Sequence, residues 1–97
     1  SCSTAQAGTV PWMLMADLGA DVIKIESPQG GDPSRRMTVL PGMGSTFFEA
    51  NNRGVKSVTL NLKSEEGREI LRKLVAEADI FGQNFRPGAA EKNGFGW

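Results

Sequence analysis

Ninety-seven residues, 39% hydrophobic and 23% charged, describe at most one small globular domain with a single thin core. Eleven basic residues balance eleven acidic ones, which argues against nucleic acid or an acidic membrane surface as a general electrostatic partner. The absence of histidine excludes imidazole acid–base chemistry, Ser-His and Cys-His nucleophile pairs and imidazole-held zinc, so no metal is expected; the lone Cys2 excludes an internal disulfide and fits a reducing, cytoplasmic setting.

In chain order, Val10, Trp12, Met13, Leu14, Met15 and Leu18 predict a short buried helix over 10–18, with Pro11 in its first turn and Gly19 as its C-cap. Residues 21–26, Asp-Val-Ile-Lys-Ile-Glu, carry the β-branched alternation of a strand. Turn residues fill 27–31, and the segment on to Gly44, with Pro33, Pro41 and Gly42, is expected as a long loop. Phe47 and Phe48 mark a short helical turn over 45–50. The basic loop 51–54 then leads into a second strand, 56–62, with Val58, Leu60 and Leu62 on one face.

Ser64 is a good N-cap, Glu65 and Glu66 suit the positive end of a helix, and Ile70, Leu71, Leu74, Val75 and Ala78 recur at helical spacing, so 64–78 is the clearest helix. Residues 79–83 are expected as a third strand. Pro87-Gly88 opens a final short helix ending near Gly94. Strands alternating with helices predict an α/β fold with a mostly parallel sheet and flanking helices. The helix 10–18 should cross over from a strand that would lie before residue 1. With that first strand missing, the sheet is expected to have a gap or open edge that a second chain covers. No apolar run approaches the roughly 20 residues of a membrane span, and no basic-then-apolar leader opens the chain.

Gly42-Met43-Gly44 lacks a third glycine and does not follow a strand, and no Gly-Lys-Ser or Gly-Lys-Thr occurs, so neither common phosphate fingerprint is present. The informative signal is an ordered series of phrases: Ala7-Gly8; Ala16-Asp17-Leu18-Gly19-Ala20-Asp21-Val22-Ile23-Lys24-Ile25-Glu26; Gly30-Gly31-Asp32-Pro33-Ser34-Arg35; Asn52-Arg53-Gly54-Val55-Lys56-Ser57-Val58-Thr59-Leu60-Asn61-Leu62-Lys63; Ala78-Asp79-Ile80; and Asn84-Phe85-Arg86-Pro87-Gly88. From about Ala5 to Trp97 the chain resembles the N-terminal part of the class III CoA-transferases (CaiB/BaiF type). That family includes formyl-CoA and carnitine CoA-transferases and the related α-methylacyl-CoA racemases.

The resemblance implies a partial Rossmann-like domain over 1–97 that holds coenzyme A or acyl-CoA, in a homodimer of interlocked subunits. It implies Gln6 beside the thioester, Arg35 near the nucleotide, Leu60 and Lys63 flanking the adenine and ribose phosphate, Asn84 and Phe85 lining the CoA channel, and Lys92 as a basic contact. Thr9 stands where members usually carry a proline, and Ser27 where some carry a basic residue. Most of these positions also have a structural reading: Lys63 as a solvated neighbour of a helix cap, Phe85 as packing, Asn84 as a turn cap, Arg35 and Arg36 as solvated loop residues, and Gln6 as part of a loose terminus.

The members resembled use an aspartate nucleophile that lies beyond Trp97. Asp17, Asp21, Asp32 and Asp79 all sit at caps, turns or strand starts, so no catalytic residue and no activity of the chain alone are expected. Three functions remain open: a CoA-binding module, a fragment active once complemented, and a dimeric remnant that binds nothing.

Overall fold

A computed structural model describes residues 1–96; Trp97, where the resemblance ends, lies outside the described residues. Helix α1 spans Ala5–Asp17, strand β1 Ile23–Glu26, a 3₁₀ turn Pro33–Arg36, strands β2 and β3 Val39–Leu40 and Gly44–Ser45, and helix α2 Thr46–Asn51. Strand β4 spans Lys56–Thr59, helix α3 Glu65–Glu77 and helix α4 Ala89–Lys92. The chain is therefore mixed α/β, with a small parallel sheet and flanking helices.

β1 and β4 pair in parallel from Ile23 opposite Lys56 to Glu26 opposite Thr59. β4 stops at Thr59 rather than at Leu62. β1 ends at Glu26, whose carbonyl accepts the last rung from Leu60 N–H, and Asn61 then turns the chain by accepting from the Ser64 N–H. The expected face of Val58, Leu60 and Leu62 still packs on the core of Cys2, Ile25 and Leu71.

On its other edge β1 meets the first residues of the chain. The Ser1 amino group donates to Ile23 O at 2.7 Å, Ile25 N–H donates to Ser1 O at 2.8 Å, and Cys2 N–H donates to Gly82 O at 2.9 Å. Residues 1 and 2 thus hold a strand's place between β1 and residues 82–83, inside the sheet and not beyond its edge. The expected third strand, 79–83, is reduced to a single parallel bridge between Cys2 and Gln83. A strand needs a neighbour along its length, and here the neighbour is two residues long.

The helix expected over 10–18 begins five residues earlier, which places Pro11 inside it. The early start has polar support: Thr4 N–H donates to Asn84 Oδ1 at 2.9 Å, and Ala5 N–H donates to Asp32 Oδ1 at 3.3 Å. Asn84 Nδ2 in turn donates to Thr4 O at 2.9 Å. Gly8 is required beneath this pair, because a Cβ there would stand 2.4 Å from Asn84 Nδ2. The helix ends as expected: Gly19, at φ +100°, allows its own N–H and that of Ala20 to return to Ala16 O and Met15 O, which satisfies the last carbonyls. Met13 is buried, but Leu14 and Leu18 are 50% and 88% exposed, so the helix is buried along one stripe and not all round.

α3 follows its sequence signature, with the Ser64 hydroxyl accepting from Gly67 N–H at 3.1 Å. α2 is capped the same way, Ser45 accepting from Phe48 N–H. α4 starts after Gly88, in the left-handed region at φ +82°.

The loop expected from 27 to 44 is not loose. Asp32 caps the 3₁₀ turn by accepting from Ser34 N–H, and β2 pairs antiparallel with β3 to form a two-rung hairpin.

Candidate functional site

Chain order and sheet order together locate the site. Across the sheet the order is β4, β1, residues 1–2, residues 82–83, whereas along the chain residues 1–2 come first and 82–83 last. The sequence of strands therefore reverses between residues 1–2 and residues 82–83. In open parallel sheets, ligands lie beyond the carboxyl ends of the strands at such a reversal. Four segments leave the carboxyl ends: residues 3–6 into α1, residues 27–32 into the 3₁₀ turn, residues 60–64 into α3, and residues 84–88 into α4.

Six of the seven residues singled out from the sequence lie on these segments or on α4. Gln6 is exposed in the first turn of α1. Leu60 is half-buried and packs on the core, so its side chain has a structural job. Lys63 is exposed immediately before the α3 cap, its N–H held by Asn61 Oδ1 at 3.1 Å. Asn84 is exposed and uses both ends of its amide on the Thr4 main chain. Phe85 is 37% exposed, with its ring 5.8 Å from that of Phe95. That contact folds α4, with its exposed Lys92, back toward the same side, and Gly94 lies beside Arg68 and Arg72 of α3.

Among the described residues, no carboxylate lies within ion-pair distance of Lys63, Arg86 or Lys92. Lys56 does not join them. It begins β4, at the opposite end of the sheet, and pairs with Asp21 at 2.7 Å.

Arg35, in the 3₁₀ turn that follows β1, is half-exposed and engaged in a polar clamp at the carboxyl end of that strand. Its Nε and Nη2 donate to the two oxygens of Glu26 at 2.8 and 2.6 Å, and its guanidinium lies 3.8 Å over the Phe48 ring. Glu26 also accepts from Asp32 N–H and from the Ser57 hydroxyl. The Arg35 hydrogen bond outweighs the effect of burial and holds the Glu26 carboxyl down at about 2.

Next to it Lys24 Nζ, itself buried, donates to Asp32 Oδ2 at 2.6 Å and to Asn52 Oδ1 at 2.9 Å. Burial pushes the Asp32 carboxyl up, but hydrogen bonds from Lys24 and Ser34 prevail, and it stays below the ordinary range. The sequence reasoning missed this network. Its available signals were two ionic residues, Lys24 and Glu26, inside an apolar strand, and the Gly-Asp-Pro-Ser phrase, in which Asp precedes a helix-starting Pro.

The clamp accounts for two of the phrases. Gly30-Gly31-Asp32-Pro33-Ser34-Arg35 supplies Asp32, Ser34 and Arg35, and Asn52 begins the phrase that leads into β4. It also reaches α1 through Ala5 N–H on Asp32, so it fixes the start of that helix. Of the four aspartates weighed as nucleophiles, Asp17 pairs with Arg53 at 2.6 Å, Asp21 with Lys56, and Asp32 with Lys24. The Cys2 thiol is buried, and burial pushes it up to about 11, so it is inert as a thiolate nucleophile at neutral pH. Among the described residues no group of three or more carboxylates and cysteines is placed to hold a metal ion, and no helix is long and apolar enough to cross a membrane.

The architecture is that of a small parallel sheet whose carboxyl ends lead into segments carrying exposed basic residues and the half-exposed ring of Phe85. Comparison with known proteins gives this class its family: CoA-transferase family III matches residues 1–97, and the chain belongs to that family. It is 42% identical over 92 residues to a formyl-CoA:oxalate CoA-transferase of Streptomyces coelicolor, covering 95% of this chain and 22% of the relative. It is 44% identical over 85 residues to the succinyl-CoA–L-malate CoA-transferase beta subunit of Chloroflexus aurantiacus, covering 87% of this chain and 21% of the relative. A crystal structure of a CaiB/BaiF family protein from Brucella suis superposes with a TM-score of 0.89 at 42% identity, covering 99% of this chain and 26% of that one. The chain thus spans about a fifth of the length of the curated relatives it matches.

Proposed function

We propose that this chain is the coenzyme-A-holding part of a class III CoA-transferase, with CoA or acyl-CoA seated at the carboxyl edge of the sheet. What supports the reading is that Gln6, Lys63 and Phe85 lie on segments leaving the carboxyl ends of a parallel sheet, and Lys92 on the short helix that follows, with strand order reversing between residues 1–2 and 82–83. CoA bears a 3′-phosphate and a pyrophosphate, which call for cations free of internal partners. Lys63, Arg86 and Lys92 meet that requirement, while Arg35 contributes mainly by fixing the loop. Phe85 offers an apolar face to the pantetheine arm or the adenine, Leu60 shapes the wall behind it, and Gln6 at the start of α1 suits the thioester end. In this reading the transferase nucleophile comes from outside these 97 residues, the assembled enzyme is a cytoplasmic homodimer, and the chain alone moves no acyl group.

Titration calorimetry with CoA tests this. Micromolar binding is expected, with Lys63→Glu weakening it about tenfold through loss of one charge-assisted contact. A flat titration of the unaltered chain overturns the reading and leaves a non-binding remnant. Failure to gain thioester exchange on co-expression with the C-terminal remainder of a family member would remove the complementable-fragment reading, which the one-fifth coverage favours.

A further inference from the structure

Lys63 sits in a turn that is built rather than loose. Asn61 O accepts from the Ser64 N–H at 3.1 Å and from the Ser64 hydroxyl at 2.9 Å, and Asn61 Oδ1 accepts from the Lys63 N–H at 3.1 Å. The same Ser64 hydroxyl accepts from Gly67 N–H and so joins this turn to the start of α3. Gly67 must be glycine, because a Cβ there would run into the Asn61 carbonyl.

The carbonyls of Leu62 and Lys63 are met from the next residue along α3. Arg68 Nη1 donates to Leu62 O at 3.3 Å and to Lys63 O at 3.4 Å. Its Nε and Nη2 donate to Glu65 Oε2 at 3.3 and 2.9 Å, while Glu65 Oε1 accepts from Arg72 Nη1 at 2.9 Å, so the carboxylate holds the guanidinium plane in place. The Arg68 side chain is only 26% exposed, against 44% for Arg72. Gly94, just past Lys92, lies against the same pair, where a Cβ would stand 3.3 Å from Arg72 Nη2 and 3.8 Å from Arg68 Cδ. With Glu65 alone, Arg68 would be an ordinary surface ion pair of little consequence. The two carbonyl bonds set it apart.

Those carbonyls belong to the peptide groups on either side of Lys63. An acceptor left free beside a lysine repels a phosphate and competes for the ammonium. A lysine also carries high rotamer freedom, and a turn that moves with it adds to the cost of ordering both on a ligand. A guanidinium presents its donors in a rigid plane, so one side chain can hold two carbonyls and a carboxylate at once; an ammonium lacks that fork.

We propose that Arg68 is a positioning residue for the CoA site: it fixes the turn 61–63 and engages the carbonyls on either side of Lys63, so that Lys63 meets an anionic group already in place. Arg68 acts through Lys63 and makes no contact of its own with the ligand. The proposal rests on the reading of the chain as the CoA-holding part.

The test is a double-mutant cycle between Arg68 and Lys63, read by titration calorimetry of the 97-residue chain with CoA. Arg68→Lys keeps the charge and removes the fork. It is expected to weaken CoA binding about fivefold where Lys63 is present, and to change it by less than about twofold where Lys63→Ala is already in place. Glu65→Gln leaves Arg68 but loosens its plane, and is expected to weaken binding about threefold, again only with Lys63 present. If Arg68→Lys does not fold, the Glu65→Gln cycle decides by the same criterion. Unchanged affinity overturns the proposal, and so does an equal loss in both Lys63 backgrounds, which marks a structural role alone. An unaltered chain that binds no CoA overturns the CoA reading and this proposal with it, whereas binding with additive losses overturns this proposal alone.

Discussion

On one side of β1, around Lys24, Glu26, Asp32, Arg35 and Asn52, every buried polar side chain described has a hydrogen-bond partner; on the other, a cavity of about 470 Å³ lies between Trp12 and Met15 of α1 and Leu71, Leu74 and Val75 of α3. The two regions share one strand and solve different problems. The clamp's ionic groups come from residues 24–35, with Asn52 and Ser57 reaching in from farther along the chain, so the start of the loop 27–44 is ordered largely by its own chemistry. The cavity is lined by α1, β1, α3 and residues 79–81, segments that meet only in the fold. A buried ionic network left half-made is costly, while an apolar gap forfeits only contact and burial. Substitutions in the clamp should therefore cost more than substitutions around the cavity.

Four experiments set the clamp against residues outside it, in descending order of expected effect. Asp32→Ala leaves the Lys24 ammonium buried without its carboxylate and should cost about 3 to 5 kcal/mol in urea unfolding. A cost like that of a surface substitution would show that the clamp is not what holds the loop.

Glu26→Gln sharpens the same point through pH. The folded carboxyl, near 2, lies below its ordinary 4.5, so its contribution is complete above about pH 4.5 and is lost as pH falls toward 2. The shift corresponds to roughly 3 kcal/mol. The variant should lose about that much at neutral pH and show a flatter acid limb, and an unchanged acid limb contradicts the assignment.

In α1, Gly8→Ala drives a methyl into the Asn84 amide, whereas in the double variant with Asn84→Ala the space is free. A double-mutant cycle should return about 1 kcal/mol of coupling or more, and additive costs would separate the two sites. Leu18→Ala, on the exposed side of α1, should change stability by no more than about 0.5 kcal/mol.

The contrast also separates what the sequence makes legible from what it does not. α3 is readable because its cap, its acidic first turn and its apolar stripe all lie within 64–78, and the Gly19 C-cap is likewise local. The start of α1 is not readable, because its early amides are satisfied by Asp32 and by Asn84, the latter eighty residues away. Strand 79–83 has the right composition, but a strand exists only with a neighbour, and composition does not report one. The site divides the same way. Lys63, Phe85 and Gln6 follow strand positions closely, and alternating strands and helices make the strands parallel, which puts such positions on the carboxyl side. Arg35 and Asn84 have the right residue types for ligand contact, yet their donors and acceptors are engaged inside the protein. Nothing in one sequence distinguishes an arginine aimed at a phosphate from one aimed at a buried glutamate.

The most direct test of the account is an amide chemical-shift titration of the chain with CoA. The carboxyl-edge reading predicts that the resonances of Gln6, Lys63, Phe85 and Lys92 move together with one dissociation constant while those of Asp21 and Lys56, at the far end of the sheet, stay in place. Movement confined to Asp21 and Lys56, or no movement at saturating CoA, contradicts it.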